Sequence, residues 1–171
     1  MAERDPELQR LIDESAIRKL LSHYPRGLDR HDSEVLASIY HADAIEDHGV
    51  FNGSAAAYVE WMAGRNAEGY HWMHNNTTQI IEIDGDVARA ETYCLAFKRQ
   101  PELDEQGRSR EWLVRVRYLD RIEKRDGAWK IAHRRVVYAP NGVLTLDDVP
   151  ATPESVVESG QGTDEIYRWS P

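Results

Sequence analysis

The sequence contains a single cysteine, Cys94, so it can build neither an internal disulfide nor a cysteine-rich zinc centre. Basic residues are also short, with 21 Lys and Arg against 30 Asp and Glu and a formal net charge of −9. Nucleic acid and anionic membrane surfaces select positive surface, so neither is an expected partner. The one Arg-Arg pair, Arg134-Arg135, is flanked by apolar residues and is not a basic tract. Long apolar runs are missing as well: none approaches the ~20 residues that cross a bilayer. The charged opening Met1-Ala2-Glu3-Arg4-Asp5 lacks the apolar core of a secretion signal. A cytoplasmic protein is expected. What is present, 171 residues with 41% hydrophobic and 30% charged, suits one domain around one core.

Apolar residues at Leu8, Leu11, Ile12, Ile17, Leu20, Leu21, Tyr24 and Leu28 recur at three- and four-residue steps and predict a helix. Asp5-Pro6 is its cap and first turn, it ends near Asp29, and Pro25 is predicted to kink it or split off its last turn. Asp32 caps a short second helix through Val35, Leu36 and Ile39. Gly49 and Gly53 bracket a small turn or hairpin at Val50-Phe51, and Ser54 caps a third helix with Tyr58, Val59, Trp61 and Met62 on its apolar side. From Trp72 the period changes to two. Strands are predicted over Thr77–Ile83, Val87–Phe97, Glu111–Lys124 and Trp129–Tyr138, with turns at Asp84-Gly85-Asp86 and Arg125-Asp126-Gly127. Val114, Val116, Tyr118 and Ile122 share one strand face. Three helices before a four-stranded antiparallel meander, with a small strand element between helices two and three, give an α+β roll. Residues 1–139 are expected as the domain. Residues 140–171, rich in Pro, Gly, Ser, Thr and acids, are expected as a tail, extended or docked on the domain or on a neighbouring subunit.

Four strings add to that order: Ile17 to Asp32, containing Tyr24 and Asp29; Ala42-Asp43-Ala44 followed by Asp47-His48-Gly49; His74 ten residues before Asp84-Gly85-Asp86; and Asp126-Gly127-Ala128-Trp129 running to His133-Arg134. Together they resemble the SnoaL-like family of the nuclear transport factor 2-like superfamily. The resemblance implies a cone-shaped α+β barrel, a cystatin-like roll with three N-terminal helices packed in a curved, mostly antiparallel sheet. The family includes scytalone dehydratase, bile acid 7α-dehydratase, hexachlorocyclohexane dehydrochlorinase, ketosteroid isomerase-like enzymes and polyketide cyclases. In its dehydratases and dehydrochlorinase an Asp ending the first helix pairs with a His on the first long strand. Asp29 and His74 stand at those positions, and Tyr24 matches a Tyr five residues before the Asp in the bile acid enzyme. Homodimers or homotrimers, built through the convex face of the sheet, are implied too.

The chemistry expected of that set is a cofactor-independent elimination. His74 can act as base and acid near neutral pH. Asp29 would fix its tautomer and stabilise the imidazolium, and Tyr24 would donate to a developing enolate. A small hydrophobic cyclic substrate is expected, bound by Trp72, Phe97, His133 and Arg134, of which His133 continues the inward alternation of Trp129 and Ile131. No metal site is expected, since His71 and His74, three apart on extended chain, face opposite sides. An isomerase or cyclase using the same residues, and a non-catalytic binding or dimerisation module, remain alternatives.

Overall fold

A computed structural model describes residues 5–147, Thr152, Ser155 and 163–169. Three helices, α1 (Pro6–Asp29), α2 (Ser33–Ser38) and α3 (Ala55–Ala67), precede or interrupt seven strands: β1 (Tyr40–Asp47), β2 (Asn52–Ser54), β3 (His71–Asp84), β4 (Val87–Arg99), β5 (Ser109–Arg125), β6 (Ala128–Tyr138) and β7 (Gly142–Leu146). One mixed, curved sheet runs β2-β1-β6-β5-β4-β3, with β7 added on β5. Only the β1–β6 pairing is parallel. The sheet does not close on itself, and the helices cover its inner face. This is the expected α+β roll. Residues 142–146, placed by sequence in the tail, form β7, antiparallel to Ser109–Leu113; residues 148–151, 153–154, 156–162 and 170–171 of that tail lie outside the described residues. Among the described residues no helix is long and apolar enough to cross a membrane.

The first helix buries Ile17, Leu20, Leu21, Tyr24 and Leu28, the stripe its periodicity predicts. Leu8, Leu11 and Ile12 stay exposed, so the buried face begins only at Asp13. That carboxylate is itself buried, accepting from the Trp129 indole at 2.8 Å and from Lys124 at 2.9 Å. Burial works against its charge, but these donors outweigh it and hold its pKa below the ordinary value. Asp13 thereby ties the helix to the turn between β5 and β6.

Pro25 does not break α1. Lacking an N–H, it leaves the Leu21 carbonyl without its helical partner, and the side-chain amide of Asn76 on β3 donates to that oxygen at 3.2 Å. The group that Pro25 frees becomes a cross-link between helix and sheet. Past Asp29 the helix ends with His31 in the left-handed region (φ 53°). The N–H of His31 bonds back to Leu28 and that of Asp32 to Gly27, a Schellman closure. Gly27 is required here because a Cβ would lie 2.9 Å from the Leu36 backbone nitrogen of α2. Asp32 then caps α2 through the Val35 N–H, and its other carboxylate oxygen accepts from Tyr167 at 2.5 Å.

Two bulges set which strand residues face inward. In β3 the register slips between Asn76 and Gln79, and in β6 it slips opposite Arg121–Ile122, leaving Ala132 extra. A bulge inverts the alternation beyond it.

Candidate active site

The inner face of β4 is made of small residues, Ala88, Ala90, Thr92, Cys94 and Ala96, all buried. Small side chains let α1 lie close at one end and leave space at the other. There a cavity of about 420 Å³ opens between α1, α3 and β3–β5. Its walls are largely aromatic: Tyr24, Tyr58, Trp61, Trp72, Trp112, Tyr118 and Tyr138 all line it. His48, His74, Arg65 and Lys98 are its ionisable groups besides the tyrosines.

Asp29 and His74 meet. The imidazole Nδ1 lies 2.6 Å from Asp29 Oδ1, and the His74 backbone N–H donates to Oδ2 at 2.9 Å. Both side chains are almost fully buried, 6% and 11% exposed for His74 and Asp29. An ionised carboxylate only accepts, so Nδ1 carries the proton and Nε2 is the nitrogen left for a ligand. A carboxylate in the last turn of a helix is opposed by the macrodipole. The two N–H groups from one residue of β3 compensate, which is why a locally unfavourable residue can stand there.

The five-residue spacing of Tyr24 and Asp29 turns them about 140° apart on a helix. The structure uses that offset. Asp29 reaches His74 from behind, while Tyr24 faces the cavity with its ring 6.1 Å from the imidazole in an edge-on arrangement. The Tyr24 hydroxyl lies 2.8 Å from that of Tyr58 on α3. Burial pushes both hydroxyls well above their ordinary pKa, so they stay protonated. Of the two protons, one serves the bond between them and the other is free to reach a ligand.

Trp72 stacks on His74 at 5.6 Å and 22°, and its buried indole N–H has no partner among the described residues. Phe97 does not line the cavity. Cys94, Ala96 and Lys98 face inward on β4, so the odd-numbered Phe97 faces out beside Met73. His133 is not among the lining residues either. The bulge at Ala132 turns the odd-numbered face away, so Arg134 and Val136, not His133, continue the interior begun by Trp129 and Ile131.

Arg134, expected to bind substrate, is instead buried beneath the cavity and is not among its lining residues. Its Nε and Nη2 donate to the two oxygens of Asp120 at 2.7 and 2.8 Å. Its guanidinium carbon stands 4.0 Å over the Tyr24 ring and 4.5 Å over that of Tyr118. Burial opposes its charge, but Asp120, Tyr40 and Glu46 push its pKa well above the ordinary value. The fully buried Glu46 accepts from the Tyr40 hydroxyl and approaches His48 at 3.7 Å. His48 in turn stacks on Tyr58 at 5.1 Å. Arg134 thus supports Tyr24 from below.

Sequence reasoning did not single out Tyr58 or Lys98. Tyr58 was legible only as part of an apolar helix face. Lys98 had a signal, since it extends the even-numbered run of small residues on β4 as the one charged member.

The chain belongs to the SnoaL-like family: residues 9–135 match the model of the SnoaL-like domain. Similar solved structures include the hexachlorocyclohexane dehydrochlorinase LinA-type3 from Novosphingobium barchaimii LL02. It is 22% identical with a TM-score of 0.68, over 86% of this chain and 99% of that one. A provisional scytalone dehydratase from Novosphingobium aromaticivorans DSM 12444 is 21% identical with a TM-score of 0.68, over 87% and 97%. A protein of unknown function with a cystatin-like fold from Nostoc punctiforme PCC 73102 is 17% identical with a TM-score of 0.59, over 75% and 92%. At these identities the likeness establishes the fold. No curated protein matches the chain.

Proposed function

We propose that this chain is a cofactor-independent lyase of the dehydratase type, acting on a small hydrophobic cyclic substrate. The observation that carries this is the Asp29–His74 pair, with Nδ1 committed to the carboxylate at 2.6 Å and Nε2 left to an aromatic-walled cavity. Nε2 takes a proton from the carbon beside a carbonyl. The electron pair moves into the carbon–oxygen system, and the resulting enolate oxygen accepts the free proton's hydrogen bond from the Tyr24–Tyr58 pair. The enolate then collapses to form the double bond. The β-hydroxyl departs with the proton held on the imidazolium, leaving as water and restoring neutral His74. Asp29 stabilises the imidazolium between the two steps. Two of the similar structures carry the names of elimination enzymes, a dehydrochlorinase and a dehydratase, which favours this class.

The test is a panel of cyclic β-hydroxy ketones incubated with the purified protein and followed by mass spectrometry. A product lighter by one water supports the reading. A product of unchanged mass would instead make the protein an isomerase, and no turnover across the panel would leave it a binding module.

The same reading includes self-association through the outer sheet face, where Met73, Ile80, Tyr93, Leu95 and Leu119 are exposed. Clustered exposed apolar side chains mark contact surfaces. Light scattering is expected to give a dimer or trimer mass for the unaltered chain and a lower mass for Leu95→Lys/Leu119→Lys. A monomer at the start removes this part of the proposal.

A further inference from the structure

Lys98 is only 4% exposed, and no described carboxylate or hydrogen-bond acceptor is paired with its ammonium. Lysine is rarely buried without a partner. What surrounds it is aromatic: Nζ lies 3.9 Å from the ring centre of Tyr70 and 4.9 Å from those of Trp72 and Trp112. Strand register makes this cage. Trp72 on β3, Lys98 on β4 and Trp112 on β5 are direct cross-strand partners on the inner face. Ring faces hold a cation by their quadrupoles but leave its N–H donors unused, and Lys98 borders the open cavity.

We propose that Lys98 is the anion-binding residue of the cavity and that the substrate is a cyclic carboxylate, its carboxylate on Lys98 and its reacting carbon at His74. The inference rests on the elimination reading only for what happens at His74. The next inward rung of the same three strands is His74, Ala96 and Val114, two residues along, which is about 7 Å. A six-membered ring together with its carboxylate substituent is on that scale, so a ring carrying a carboxylate at one end presents its far side to Nε2. One ammonium balances one negative charge, which fits a carboxylate better than a phosphate dianion. A protein of net charge −9 also repels anions in general, so a cation inside the cavity is a specific feature. The other ionisable groups facing this end are Arg65 on α3, Glu68 just past its end, Tyr70 ahead of β3 and His74 on β3. Glu68 lies near Arg65 at 3.6 Å and acts on Lys98 without bonding to it, so among the described residues Lys98 is the cavity cation with no carboxylate at contact distance. Burial first, and then the Arg65 charge, push the Lys98 ammonium down to about 8.

The test is a tryptophan-fluorescence titration of the full chain with 2-naphthoate and with the neutral isostere 2-naphthamide, near pH 7 and near pH 10. The unaltered protein is expected to prefer naphthoate by about tenfold or more at the lower pH, as a charge-assisted contact implies. Naphthoate stays ionised throughout, so the preference falls as Lys98 loses its proton above about pH 8. Lys98→Met removes the preference at both pH values. Lys98→Arg restores it and holds it at the higher pH, because guanidinium does not titrate there. His74→Ala keeps it, which separates this site from the acid–base pair: turnover can fail while the preference stands, and the reverse. Equal affinity for the two probes, no binding of either at millimolar concentration, or a preference that survives Lys98→Met overturns the proposal. Should Lys98→Met not fold, the Lys98→Arg pH profile decides: the same fall as in the unaltered chain would assign the preference elsewhere.

Discussion

His74→Ala is expected to lower kcat by about 10²–10⁴-fold on whichever compound the mass-spectrometry panel identifies, the range for loss of a positioned general acid–base. Among the described residues, the substitution deletes the one cavity-lining imidazole whose other nitrogen is held by a carboxylate at hydrogen-bond distance. Asp29→Asn tests the other half. An amide still accepts from the His74 backbone N–H, but it carries no charge to stabilise an imidazolium. A loss of about 10²-fold or more is expected, by analogy with the loss of the carboxylate in a catalytic triad. Because Asp29 also ties α1 to β3, the thermal midpoint of both variants is measured beside the rate. A folded His74→Ala protein with unchanged turnover would reject the acid–base pair.

The largest effect on stability is expected from Asp120→Ala, at about 3–5 kcal/mol, the cost of leaving one member of a buried ion pair uncompensated. The pair is almost completely enclosed, with side-chain exposures of 1% and 0% for Arg134 and Asp120. The remaining guanidinium would keep the buried Glu46 as a negative group acting on it. The prediction reaches the active site as well, because Arg134 carries the Tyr24 and Tyr118 rings on its face. Urea denaturation measures the loss. Asp120→Leu/Arg134→Met, which removes both charges, is expected to cost far less than the single substitution. A single variant within 1 kcal/mol of the unaltered chain, on the scale of an exposed pair, would show the pair to be of little consequence.

The helices and meander were legible because their apolar periods are long and their caps conventional. Asp5, Asp32 and Ser54 each accept from the first turn of the helix they precede. Strand β7 was not legible. None of its residues is buried and three of the five are exposed, so no buried face imposes an alternation on them, and its pairing depends on a free edge of β5. Pro25 does not split off the last turn of α1, and the reason was not legible locally. Its effect on α1 depends on who takes the Leu21 carbonyl, and the taker, Asn76, is 55 residues away. Alternation placed His133 inward, yet a bulge at Ala132, opposite Arg121 and Ile122, reverses the phase and delivers Arg134 instead.

The linear order of residues by itself determined the three helices and the four-stranded meander, the inner face of β5 and the acidic, cysteine-poor character of the chain, because each depends on neighbours within a few positions. Tertiary structure alone decided that Asp29 and His74, 45 residues apart, share a hydrogen bond. It also decided that Tyr58 answers Tyr24 and that Lys98 stands among three aromatic rings with no hydrogen-bond acceptor among the described residues. The physical reason is register. Which side chains meet across a sheet depends on bulges and on close approaches such as Gly27 to α2, and these exist only once distant segments have come together.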